Sequence, residues 1–210
     1  MLRCTLFLLL TLILAACGSN HTVTENQCRA GDWQSIGYRD GASGYASTRI
    51  LAHQEACGEL GIVPNRGTYM AGWNDGLSAY CTADSGFRLG QRGAAFNTVC
   101  NAAMREPFAS AYRDGRMLYQ AQNEVNYLVN LIGNNEVRLA QIKQDMVAVG
   151  AAQLDPLLTP EERVNLLAQL DALVDERSAI QADLPELQRA LTNAESELDQ
   201  VNQTLVSAGY

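Results

Sequence analysis

The sequence predicts an all-α protein in which a small disulfide-stapled helical domain is followed by a long antiparallel coiled-coil hairpin. Three observations predict this class. A glycine-aromatic motif recurs with helical spacing in the first half, four cysteines lie in that same half, and apolar residues recur at alternating intervals of three and four in the second half. The predicted segments are a signal peptide at 1–16, a tether at 17–27, the four-cysteine domain at 28–115 and the hairpin at 116–210.

The beginning of the chain has the pattern of a lipoprotein signal peptide. Arg3 supplies positive charge, an apolar run extends over residues 6–14, and the sequence "LAAC" ends at Cys17. The apolar run is too short to cross about 30 Å of hydrocarbon as a helix. We therefore expect cleavage before Cys17 and acylation of this residue, with palmitate among the acyl chains. Gly18, in place of aspartate, predicts sorting to the outer membrane, facing the periplasm.

The cysteines that follow predict two disulfides. Cys4 leaves with the signal peptide, and four others lie in an oxidising compartment. Three connectivities are open, and the shortest loops favour a disulfide between Cys28 and Cys57 and another between Cys81 and Cys100. A metal site at His53 and Cys57, four residues apart on one helical face, is the alternative, but no other histidine lies near them, and no metal site is expected. The four disulfide cysteines are Cys28, Cys57, Cys81 and Cys100.

A ten-residue motif occurs three times, as "IGYRDGASGY" at 36–45, "AGWNDGLSAY" at 71–80 and "SAYRDGRMLY" at 110–119. Asp-Gly suits a hairpin turn, but the aromatic residues are seven apart and the small residues four apart, which places both on one helical face. Glycine in a helix costs about 1 kcal/mol relative to alanine. A close helix crossing is the simplest compensation. The stretch "GFRLGQRGAAF" at 86–96 is a degenerate further copy.

The aspartate of each full copy has two interpretations. Asp40, Asp75 and Asp114 could converge, with Trp33 and Trp73, on a cation or a sugar. Each aspartate could instead bond a neighbouring helix end or an arginine, because buried aspartates are usually paired. The structural interpretation is favoured. The three aspartates and Trp73 are the candidate ligand or structural residues.

The order and spacing of "EAC", "GWNDGLSAYC", "GFRLGQRG" and "AYRDGR" resemble a family of bacterial lipoproteins described only as a domain of unknown function. The resemblance covers residues 28–119. It implies a cysteine-bearing, periplasmic domain. It supplies no activity, cofactor or catalytic residue.

Two apolar seams predict the hairpin, because their intervals alternate between three and four as in a coiled coil. The first consists of Leu118, Ala121, Val125, Leu128, Ile132, Asn135, Leu139, Ile142, Met146 and Val149. The second consists of Leu166, Leu170, Leu173, Arg177, Ile180, Leu184, Leu187, Leu191, Ala194, Leu198, Val201 and Leu205. Between them, Thr159 and Pro160 predict the start of the returning helix.

Four residues bear on helix continuity. Pro107 could open the first arm's helix, and Pro185 is expected to kink the second or to begin a new helix. Asn135 at a seam position predicts a layer that fixes register, whereas Gly133 beside it could break the helix. The unbroken heptad phase favours a continuous helix.

Composition limits the function classes. The net charge is −8, Lys143 is the one lysine, and no basic patch exists, which argues against nucleic-acid binding. No nucleophile, base and orienting group assemble, so we expect a non-enzymatic protein without a cofactor. The predicted function is an outer-membrane lipoprotein adaptor whose coiled coil contacts an envelope protein, with homo-oligomers left open. The alternative is a peptidoglycan- or small-ligand-binding lipoprotein.

Overall fold

The computed structural model describes residues 22–210, so Cys17 and the predicted signal peptide lie outside the described residues. Between residues 22 and 210 the chain forms helices and no strand, which confirms the all-α class. The helices are α1 (Glu25–Ala30), α2 (Trp33–Ala42), α3 (Arg49–Gly58), α4 (Arg66–Tyr80), α5 (Ala83–Gln91), α6 (Ala102–Ala152) and α7 (Pro160–Ala208). None of these helices combines the length and the hydropathy needed to cross a bilayer.

The described chain divides into two compact units. The first consists of residues 22–82 and 97–108, and the second of residues 83–96 and 109–210. This division differs from the sequence-based boundary at residue 115. The reason is that α5, which carries the degenerate copy of the motif, packs against the third copy on α6 and so belongs with the hairpin.

The first unit is held by two disulfides and a small apolar core. Cys28 is bonded to Cys57, with 5.6 Å between their Cα atoms, and Cys81 to Cys100, with 5.7 Å. Both predicted pairings are confirmed. Because the Cys57 sulfur is used in this way, the alternative metal site with His53 is wrong. The buried core cluster consists of Val23, Cys28, Trp33, Ile36, Ile50, Cys57 and Tyr69.

In the first unit α2 and α4 approach so closely that four glycines, Gly37, Gly41, Gly72 and Gly76, have no room for a Cβ atom. A Cβ on Gly41 would collide with the backbone oxygen of Trp73, and a Cβ on Gly76 would collide with that of Tyr38. The close helix crossing that the repeated glycines predict is therefore confirmed.

The second unit contains the same kind of crossing between α5 and α6. A Cβ on Gly90 would collide with the backbone oxygen of Tyr112, and a Cβ on Gly115 would collide with that of Phe87. These four residues occupy the same motif positions as their counterparts in the first unit. The degenerate copy is thus the packing partner of the third copy.

A hydrogen bond is also repeated in the two helix pairs. The indole nitrogen Nε1 of Trp73 donates to the backbone oxygen of Tyr45 at 2.8 Å, and the hydroxyl of Tyr112 donates to that of Ala94 at 2.8 Å. Trp73 and Tyr112 are the first aromatic residues of their copies, and both acceptors lie one residue after a glycine. The motif is a packing device that the fold uses twice.

The antiparallel hairpin of α6 and α7 follows the predicted seams. Every predicted seam residue is buried or half-buried in the structure. Arg138 on α6 binds Glu176 on α7 through two contacts of 2.6 Å, and nearer the bend Arg163 donates to the backbone oxygen of Gln153 at 2.7 Å. Residues farther along the first arm thus contact residues nearer the start of the second arm, so the arms are antiparallel.

Helix continuity was only partly predicted. Gly133 and Pro185 lie inside continuous helices, and neither breaks its arm. The prediction that Pro107 opens the first arm is wrong, because α6 already begins at Ala102. The Asn101 side chain accepts hydrogen bonds from the backbone nitrogens of Ala103 and Met104, and this cap starts the helix ahead of the proline. The predicted cap at Thr159 is confirmed, with a reciprocal bond to Glu162.

Candidate functional site

A buried polar cluster lies in the first unit. It consists of Asp40 on α2, His53 on α3, Tyr69 on α4 and Thr22, which precedes α1. His53 and Tyr69 have no exposed surface, and Asp40 is 8% exposed. Polar groups at such depth are costly unless they are hydrogen-bonded, so their partners decide what the cluster can do.

Each polar atom of the His53 ring has a partner. His53 Nε2 lies 2.6 Å from Asp40 Oδ2, and the Tyr69 hydroxyl donates to the same oxygen at 2.8 Å. On the other side of the ring, His53 Nδ1 lies 2.6 Å from the Thr22 hydroxyl oxygen. Since the carboxylate only accepts, the hydrogen in the bond between His53 and Asp40 lies on His53 Nε2.

An arginine completes the surroundings of Asp40. Arg49 Nε lies 3.3 Å from Asp40 Oδ1, although its N–H is not aligned for a hydrogen bond. The guanidinium also lies over the ring of Tyr45, 3.7 Å from the ring centroid. The charge of Arg49 therefore acts on Asp40 through space.

The cluster fixes the protonation states of two of its members. Burial raises the pKa of Asp40, but hydrogen bonds from His53 and Tyr69, with the charges of His53 and Arg49, outweigh burial and hold this pKa below its ordinary value. Burial raises the pKa of Tyr69, and its hydrogen bond to Asp40 raises it further. At neutral pH the cluster therefore contains an ionised Asp40 and a neutral Tyr69.

The order of hydroxyl, imidazole and carboxylate is that of a nucleophilic catalytic triad, but the surroundings differ. The imidazole exposes no atom to which a substrate could be delivered, and the carboxylate already has three partners. The arrangement is a satisfied network that ties three helices and the N-terminal segment together. Across residues 22–210, no group of three or more His, Cys, Asp or Glu side chains is placed to hold a metal ion.

The candidate aspartates have different surroundings. Asp40 is buried, whereas Asp75 in the same unit is exposed. In the second unit burial raises the pKa of Tyr210, and the charge of Asp114 and the hydrogen bond that the Tyr210 hydroxyl donates to it raise this pKa further. Asp40 and Asp114 thus have structural partners, and the arginine at Asp40 is Arg49, rather than the neighbouring Arg39.

The tryptophans of the sugar-binding interpretation are used in packing. Trp33 is buried in the core of the first unit, with 4% of its surface exposed. Trp73 is half-buried, and its indole N–H is bonded to the backbone of Tyr45. The indole N–H of Trp73 is therefore not free to donate to a sugar, and Trp33 is enclosed in the core.

Sequence reasoning missed the cluster, because His53 was considered only as a metal ligand. A signal was present in the repeat. The positions of Asp40 and Tyr69 in the first helix pair correspond to Leu89 and Phe108 in the second. The same helix crossing is thus built without these polar groups, which marks them as a feature of the first unit.

A second feature lies at the bend of the hairpin. Five apolar side chains there are between 52% and 87% exposed, and we call this set the hairpin tip: Val147, Leu154, Leu157, Val164 and Leu167. Four acidic residues lie in the same stretch of the chain, at Asp155, Glu161, Glu162 and Asp171, and all of them are exposed. The nearby Arg163 is used to bond backbone oxygens of the bend. The tip is therefore an apolar patch in an acidic setting.

Comparison with known proteins adds one match. Residues 32–117 match a family model. The family is described as Protein of unknown function (DUF2799), and the match covers less than half of the chain. The expected resemblance to a family of unknown function is confirmed. No curated protein and no solved structure matches the chain.

The region that matches the family model contains both glycine helix pairs and three members of the polar cluster, Asp40, His53 and Tyr69. Thr22 and the hairpin tip lie outside it. The matched region thus coincides with the duplicated packing device.

Proposed function

We propose that the protein is a lipid-anchored envelope adaptor that holds a partner protein at its hairpin tip. The observation that carries this proposal is the exposure of Leu154 and Leu157, at 83% and 87%, in the bend of an acidic hairpin. Leucines in a connecting loop contribute nothing to the core when they are exposed to this degree. Exposed apolar patches with polar rims are typical of protein interaction sites.

The charges around the tip indicate what kind of partner it fits. Acidic side chains flank the leucines, and Glu161 and Glu162 lie in the first turn of α7. A second copy of the chain would bring like charges together, which costs free energy at an interface. The complementary partner is an envelope protein with an apolar groove rimmed by arginine or lysine.

The hairpin itself suits an arm that presents its end. The 49 residues of α7 extend about 75 Å at 1.5 Å per residue. Near the bend, a surface groove of about 440 Å³ between α6 and α7 is lined in part by the apolar side chains of Val149 and Leu173. Asp145 and Glu176 are also among its lining residues. This groove adds further apolar surface that, like the tip, is accompanied by acidic side chains.

The membrane anchor in this proposal is the acylated Cys17, and outer-membrane sorting follows from Gly18. We expect palmitate labelling of the wild-type protein and none of Cys17→Ser. Labelling that persists in Cys17→Ser would contradict the anchor.

The partner site is tested by photo-cross-linking in intact cells. A photoreactive amino acid replaces Leu157 at the tip or, as the control, Val137, which is 72% exposed on the same hairpin but away from the bend. We expect one dominant protein adduct from position 157 and none from 137. The adduct should disappear when Leu154→Gln is added and weaken in high salt.

Two results would overturn the adaptor. Equal adducts from positions 137 and 157 would mean that the tip has no special role. Adducts with glycan alone would instead favour the peptidoglycan-binding alternative.

A further inference from the structure

The polar cluster holds the first described residues in the first unit, and these residues lie close in sequence to the predicted lipid on Cys17. Thr22 is bonded to His53, Val23 is 5% exposed in the core, and Thr24 caps α1 through a reciprocal bond with Gln27. Residues 22–27 of the predicted tether are therefore part of the first unit. The disulfide at Cys28 follows immediately.

Chain length then limits the distance to the anchor. Cys17 precedes Thr22 by five residues, and an extended chain spans at most about 3.6 Å per residue. Thr22 therefore lies within about 18 Å of the Cys17 backbone. Acyl chains on Cys17 would be buried in the bilayer, which places this backbone at the headgroup level.

From these two facts we infer that the first unit rests against the phospholipid headgroups. It is held there by the short linker from Cys17 to Thr22, which we call the leash, and the Thr22–His53 bond sets the length of this linker. The inference rests on the proposed function, because it requires the lipid on Cys17. We infer that the surface around Thr22 contacts a lipid bilayer.

The side chains of that surface are suited to contact with the headgroups but not to insertion into the bilayer. The residues that follow the leash, Thr24, Glu25 and Asn26, are exposed and polar. Glu25 pairs with Arg29 at 2.7 Å, so this stretch carries no net charge. A polar, neutral surface has little affinity for lipid of its own. The leash alone therefore keeps the unit at the membrane.

The leash is measured by energy transfer from a fluorophore to a lipid dye. The fluorophore is attached through an unnatural amino acid at position 30, which is exposed and follows the disulfide at Cys28, and the palmitate-labelled full chain is reconstituted in vesicles that carry the dye. A matched variant has twelve Gly and Ser residues inserted between Ser19 and Asn20, which adds about 20 Å of root-mean-square reach. We expect efficient transfer in the first protein and a severalfold lower efficiency in the second.

A second variant tests the role of the polar cluster. Thr22→Val with Val23→Ser removes the hydrogen bond and the buried side chain, so the leash lengthens toward Cys28. The energy-transfer efficiency of this double variant should lie between those of the proteins without and with the Gly and Ser insertion. Thr22→Ser, which keeps the hydroxyl, should leave the efficiency of the protein without the insertion unchanged. Near-ultraviolet circular dichroism checks that the first unit remains folded.

Each outcome has one meaning. Low transfer in the palmitate-labelled protein without the insertion would overturn the inference, as would unchanged transfer in the Thr22 and Val23 double variant. High transfer with the insertion would show that the surface binds lipid by itself, and would overturn it too. Absence of palmitate on the wild-type protein would instead refute the proposed anchor.

Discussion

At the scale of single residues, the glycines of the motif are the clearest test of the fold. Gly115 and Gly133 lie on the same helix, but a Cβ on Gly115 would collide with the backbone of α5, whereas a Cβ on Gly133 would meet nothing within 4 Å. Gly115→Ala should lower the free energy of unfolding by about 1–3 kcal/mol, as overpacked cores do. Gly133→Ala should raise it by up to about 1 kcal/mol. Thermal unfolding followed by circular dichroism measures both, and similar effects of the two substitutions would contradict the close crossing.

The protonation of Asp40 predicts how stability depends on pH. Its pKa is lower in the folded chain than in the unfolded chain, so its contribution is complete above about pH 4 and is lost as pH falls through the folded value. Asp40→Asn should destabilise the first unit by about 1–3 kcal/mol at pH 7. The difference from wild type should shrink below pH 4. Denaturant unfolding followed by tryptophan fluorescence measures it, with the exposed Asp75→Asn as control.

The same cluster predicts an effect on the alkaline side. The folded chain raises the pKa of Tyr69, so the contribution of Tyr69 is complete below about pH 10, its ordinary value, and is lost as pH rises through the folded value. Tyr69→Phe should cost about 1 kcal/mol at pH 7 and remove this alkaline loss. A cost that stays constant up to pH 11 would argue against the buried hydrogen bond.

At the scale of elements, the hairpin seam has a weak layer. Arg177 occupies a seam position, its Nε is buried without a hydrogen-bond partner, and a terminal guanidinium nitrogen lies 3.9 Å from the Met146 sulfur. An unsatisfied buried donor costs about 1–3 kcal/mol. Arg177→Leu should therefore raise the melting temperature of the hairpin. Arg189→Leu, at an exposed position on the same helix, should change the free energy of unfolding by less than about 0.5 kcal/mol; a lower melting temperature for Arg177→Leu would refute the weak layer.

Elements were predicted where their signal is periodic and local. The seams, the glycine crossings and the cap at Thr159 follow from spacing alone, because one helical face must be buried. The start of α6 was missed because the Asn101 cap overrides the proline. The polar cluster was missed for a different reason. Its members are separated by up to 47 residues in the chain, from Thr22 to Tyr69, and only packing brings them together.

At the scale of the whole molecule, the two units differ in what stabilises them. Both disulfides lie in the first unit, and the described part of the second unit contains no cysteine. The first unit is also small, and small cores depend on such cross-links. The second unit has two long helices with a continuous seam. Reduction should therefore weaken only the first unit.

The chain carries probes that separate the two units. Its two tryptophans, Trp33 and Trp73, both lie in the first unit, whereas most of the helical residues lie in the second. With the disulfides intact, thiol titration of the folded protein should detect none of Cys28, Cys57, Cys81 and Cys100. After reduction, the loss of each cross-link should cost the first unit about 2–4 kcal/mol. Tryptophan fluorescence should then report unfolding at a lower denaturant concentration than far-ultraviolet circular dichroism. Replacing all four cysteines by serine should reproduce this separation without a reductant, and coincident transitions in that variant would mean that the disulfides do not support the first unit separately.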